Sequence, residues 1–98
     1  MASTIEVTRS APGKFRVTVK EPGGQTSHLV SLKADDYQRL TGGKVSEEDL
    51  IEQSFRFLLT HESKESILRE FDLPVIGRYF PQYENAIKNR LSSEPSSR

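Results

Sequence analysis

The stretch LIEQSFRFLLTHESKESILREFDLPVIGRYFP, Leu50 to Pro81, decides the fold. It carries 14 large apolar side chains: Leu50, Ile51, Phe55, Phe57, Leu58 and Leu59, then Ile67, Leu68, Phe71, Leu73, Val75 and Ile76, then Tyr79 and Phe80. Apolar side chains at this density need a common interior or a partner. Ile51, Phe55, Leu58 and Leu59 form one helical stripe. Leu50 and Phe57 widen it, so this helix is expected to be contacted on two sides. Ser46, followed by Glu47, Glu48 and Asp49, supplies its N-cap, and the helix should end near Thr60 or His61. Ser63 is placed to cap a second helix that buries Ile67, Leu68 and Phe71. Asp72 is placed to cap a third, with Pro74 in its first turn and Val75, Ile76, Tyr79 and Phe80 on its apolar side. Short helices of this kind are marginal alone, because nucleation is costly. They need a larger support.

The support lies upstream. Ile5 and Val7 alternate with Glu6 and Thr8, and Phe15, Val17 and Val19 alternate with Lys14, Arg16, Thr18 and Lys20. Period two marks half-buried strands. Ala11-Pro12-Gly13 and Glu21-Pro22-Gly23-Gly24-Gln25 are turn chemistry. His28, Val30 and Leu32 continue the alternation in a third strand. Helix spacing begins near Lys33, with Asp35 and Asp36 in a first turn, Tyr37 and Leu40 on one face, and Thr41-Gly42-Gly43 as the stop. Downstream, Pro81 opens a last helix in which Tyr83, Ile87 and Leu91 recur every fourth residue. The predicted fold is α+β: a three-stranded antiparallel β-meander followed by four to five short-to-medium helices packed on one face. Residues 1–91 form one domain, Met1 to Ser3 should be loose, and residues 92–98, SSEPSSR, read as a disordered polar tail. The expected core is Ile5, Val7, Phe15, Val17, Val19, Val30, Ile51, Phe55, Leu58, Ile67, Phe71, Ile76 and Phe80.

The totals bound the function. A chain of 98 residues fits one modest core, with stability on the order of 5–10 kcal/mol. The 14 basic and 14 acidic residues cancel, which argues against a dedicated polyanion binder. The balance is uneven: seven basic against four acidic residues give +3 on residues 1–45, and seven against ten give −3 on residues 46–98. There is no cysteine, hence no disulfide, thiolate metal site or cysteine nucleophile. No signal peptide and no long apolar run is evident, and a cytoplasmic location is expected.

No motif carries chemistry. His28 reads as a partly buried, hydrogen-bonded imidazole, and His61 as a helix-end residue favoured by the dipole. His61-Glu62-Ser63-Lys64-Glu65 lacks the second histidine of a zinc-protease string. Gly42-Gly43-Lys44 lacks the upstream glycine and the following Ser or Thr of a phosphate loop, since Gln38 and Val45 stand there. No Gly-x-Ser-x-Gly elbow occurs, and the helix dipole accounts for the acidic pairs Asp35-Asp36 and Glu47-Glu48. The expectation is therefore no catalytic residue, no cofactor and no metal. Two surfaces are candidates for binding. Lys14, Arg16 and Lys20 share the outward face of strand two, where they either guard a sheet edge or contact nucleic acid. Arg78, Tyr79 and Tyr83 either pack in the core or form a protein-binding hot spot.

The run Glu65-Ser66-Ile67-Leu68-Arg69-Glu70-Phe71-Asp72-Leu73, with Ile76 and Tyr79-Phe80-Pro81-Gln82-Tyr83-Glu84, resembles the C-terminal part of small bacterial proteins of unknown function. Ser54-Phe55-Arg56-Phe57-Leu58-Leu59 is similar too. The resemblance covers the second half of the chain. It implies a bacterial, cytosolic origin and carries over no catalytic residue or ligand. From the residues themselves, the expected function is a non-enzymatic protein–protein interaction or regulatory module, acting on a protein partner or by self-association. The alternative is a nucleic-acid-binding domain using strand two.

Overall fold

A computed structural model describes residues 3–92. Three strands, β1 (Thr4–Ala11), β2 (Lys14–Glu21) and β3 (Gly24–Ser31), form the expected antiparallel meander. Phe15, Val17, Val19 and Val30 are sealed on one face. The first turn depends on Gly13, whose φ of 74° lies in the left-handed region. Its carbonyl accepts from the Leu32 amide at 2.9 Å, and a Cβ there would sit 3.3 Å from the Leu32 carbonyl oxygen. A side chain would meet both strain and crowding.

Helix α1 (Ala34–Thr41) stops at Gly42, whose amide donates to Gln38 O at 2.7 Å with φ 66°. Helix α2 (Glu47–Leu59) starts where expected, its Ser46 hydroxyl accepting from the Asp49 amide at 3.0 Å. Both flanks of α2 are occupied. Phe55 turns toward His28 and Phe71, and Phe57 toward Phe80 and Tyr83. The broad stripe thus serves the sheet on one side and the C-terminal segment on the other.

The segment after α2 departs from the expectation. Ser63 caps no α-helix; Lys64–Ser66 makes a single 3-10 turn, and the chain then extends into a fourth strand, β4 (Glu70–Asp72). β4 lies parallel to β3 at the end of a sheet ordered β1-β2-β3-β4, with Val30 opposite Phe71. The sheet is therefore four-stranded and mixed. The cause is tertiary. The Leu29 amide donates to Arg69 O at 2.7 Å, and the imidazole Nδ1 of His28 bonds Leu68 O at 2.8 Å. The exposed donors of β3 offer this segment better partners than a helix too short to nucleate. Asp72 precedes a second 3-10 turn, Leu73–Val75, which runs into a one-turn helix α3 (Ile76–Tyr79). Helix α4 (Tyr83–Ser92) closes the described chain and packs on α2 and α1.

Ile5, Phe15, Val17, Val19, Val30, Ile51, Phe55, Leu58, Ile67, Phe71 and Ile76 are buried as expected, while Val7 and Phe80 are only half-buried. Leu32, Leu40, Leu50, Phe57, Leu73, Tyr83 and Ile87 complete the core. β2 is an inner strand, so its lysines do not guard an edge. Ser92 belongs to α4; residues 93–98 of the expected tail lie outside the described residues, as do Met1 and Ala2 of the loose start. Among the described residues no helix is long and apolar enough to cross a membrane.

Candidate functional site

The irregular path from Thr60 to Phe80 leaves a depression. The end of α2 gives Leu58, the 3-10 turn and its exit give Ser66, Ile67 and Leu68, β4 gives Phe71, and the second turn with α3 gives Val75, Ile76 and Tyr79, with Phe80 beside them. These residues and Glu62 line a groove of about 390 Å³. Its floor is core: Leu58, Ile67 and Ile76 are 5% exposed or less. Its rim carries two of the three large apolar residues exposed among those described, Leu68 at 46% and Tyr79 at 66%. At one end His61 lies exposed and stacks on Phe80, with ring centroids 5.2 Å apart.

The three residues expected to bind a partner separate. Tyr79 stands on the groove rim. Arg78, its neighbour, is exposed but turns to another depression, shared with Pro74, Gly77, Pro81, Glu84 and Asn85. Tyr83 is not a surface residue at all: it is fully buried, and its phenol meets the Ser54 hydroxyl at 2.7 Å. Ser54 donates to Leu50 O at 2.8 Å, so the Tyr83 O–H donates to Ser54. Burial pushes the phenol's pKa well up. Leu68 is the groove residue that the sequence reading assigned inward; in the irregular stretch that leads into β4 it turns out.

Lys14, Arg16 and Lys20 do come together on the uncovered face of the sheet, and all three are exposed. Register explains what surrounds them. Arg16 stands opposite Thr8 and Leu29, Leu29 opposite Glu70; Lys14 stands opposite Ser31, which faces Asp72. Glu6 pairs with Lys20 at 3.3 Å. Glu6 thus engages Lys20, while Glu70 and Asp72 share the face one strand beyond the neighbours of Arg16 and Lys14.

His28 sits at the floor of a polar crevice of about 260 Å³, beside Thr26, Lys64 and Arg69. The Thr26 hydroxyl meets Nε2 at 2.8 Å, while Nδ1 donates to Leu68 O. Desolvation lowers the ring's pKa below the ordinary value and so favours its neutral form. A hydroxyl bonded to an oriented imidazole has the connectivity of an activated nucleophile. The ring itself is 2% exposed and packed 5.4 Å from Phe55. Its hydrogen bonds tie β3 to the segment that enters β4. Lys64, likewise buried, is held by Glu65 at 2.8 Å and Glu21 at 3.0 Å, which raise its pKa and pin the 3-10 turn to the end of β2. Among the described residues no cluster of three or more His, Cys, Asp or Glu side chains could hold a metal ion.

No family model, curated protein or solved structure matches this chain. The functional reading accordingly rests on its own geometry.

Proposed function

We propose that this protein is a non-enzymatic interaction module that binds another protein through the apolar groove between α2, β4 and α3. The observation that carries the reading is the joint exposure of Leu68 and Tyr79 above an apolar floor. Exposed apolar side chains that adjoin an apolar floor, unlike isolated ones, mark interaction surfaces. An apolar centre, a tyrosine on the rim and a surrounding polar shell are the makings of a binding hot spot. Tyr79 is held by a backbone that Pro74 and the Ile76–Phe80 hydrogen bond fix in place, so little ordering entropy is lost on binding.

The test is site-specific photo-cross-linking in the native host. A benzophenone side chain replaces Tyr79 in one variant and Thr18, on the open sheet face, in another. The expected result is a discrete adduct from position 79 and none from position 18. No adduct from either, or the same pattern from both, removes the proposal.

A further inference from the structure

We propose that the segment bound in this groove carries a lysine or arginine next to bulky apolar side chains, and that Glu62 receives the cation. This inference rests on the groove being the binding surface and adds the chemistry of the occupant. Glu62 is the one charged residue in the groove lining, and its carboxylate has no hydrogen bond or ion pair among the described residues. The cations nearest in sequence face elsewhere. Lys64 is consumed by Glu21 and Glu65, Arg69 lines the crevice beside His28, and Arg78 lines the depression beyond α3. A carboxylate at the side of an apolar groove, without an internal counter-charge among the described residues, favours a ligand that brings one.

The same asymmetry disfavours the simplest alternative occupants. A symmetric pair of copies would place the same patch on both sides of the interface. The groove lining of a second copy supplies no lysine or arginine to meet Glu62. The chain's own residues 93–98, SEPSSR, hold no apolar side chain large enough to fill the groove.

The experiment selects peptides from a displayed random dodecamer library on the purified full chain, with sedimentation of the same sample alone. The expected peptides pair Lys or Arg with aromatic or branched aliphatic residues and lose binding to Tyr79→Ala. Their affinity drops roughly three- to tenfold on Glu62→Gln and falls with added salt. On Glu62→Lys the library should yield acidic in place of basic residues. Apolar peptides that bind at Tyr79 with no preference for a cation would overturn this inference and leave the groove reading standing. Peptides indifferent to Tyr79→Ala would overturn both. A dimer that Tyr79→Ala dissociates would overturn the inference by making a second copy the occupant.

Discussion

Two tyrosines four residues apart have opposite fates, and the difference is geometric. Tyr79 ends the one-turn helix α3 and is exposed; Tyr83 starts α4 and packs against Phe57 of α2. Tyr83 has a buried hydroxyl partner in Ser54, so its polar tip is satisfied and its ring fills the seam beside Phe57. Tyr79→Ala should therefore change stability by no more than about 0.5 kcal/mol. Tyr83→Phe should cost about 1 kcal/mol through the lost hydrogen bond, and Tyr83→Ala about 3–5 kcal/mol through the cavity. Urea denaturation of the three variants checks the order. Equal losses at both positions would mean that the exposures assigned to the two rings are wrong.

At the scale of elements, β4 is the piece whose presence depends on the rest. It is three residues long and sits at the sheet's end, anchored by Phe71 in the core and by His28 through Leu68 O. Because folding holds the His28 pKa below its ordinary 6.5, the unfolded chain binds the extra proton first as pH falls. Stability from this group is whole above pH 6.5 and drains as pH drops below it, until the folded ring itself protonates. The urea midpoint should fall between pH 7 and pH 5. His28→Gln should be less stable at pH 7 but lose the contribution that His28 makes to that slope. Glu21 and Glu65, whose pKa values hydrogen bonds from Ser3 and Lys64 hold below 4.5, act in a lower window and do not confuse the test. A slope unchanged in His28→Gln would show that the ring is not buried neutral.

Across the whole molecule, the charge asymmetry of the sequence is partly offset in space. The +3 and −3 halves meet on the open side of the sheet, where Glu70 and Asp72 of the acidic half are carried to the edge beside the strands of the basic half. A mobility-shift assay with random-sequence single- and double-stranded oligonucleotides should show no complex at low salt. A salt-sensitive complex that disappears when Lys14, Arg16 and Lys20 become glutamate would reverse this reading and point to the sheet in place of the groove. Two ion pairs, Arg39 with Glu84 and Arg9 with Glu47, link distant parts of the chain, but they are largely exposed and add little to stability.

The amino-acid sequence by itself determined the meander, its turns, the cap of α2, the stop of α1 and most of the core. Each of those depends on local chemistry: period-two alternation, a glycine free to take positive φ, a serine ahead of a helix, an apolar stripe. It left Tyr79 open between core packing and a binding surface. It did not determine β4, the burial of Tyr83, the outward turn of Leu68 or the acids among the β2 cations. Those depend on which segment reaches the free edge of β3 and on the register it takes there. Ten residues from Ser63 to Asp72 can be written as a helix or as a turn and a strand; hydrogen-bond donors on a neighbouring strand chose between them, and that choice opened the groove.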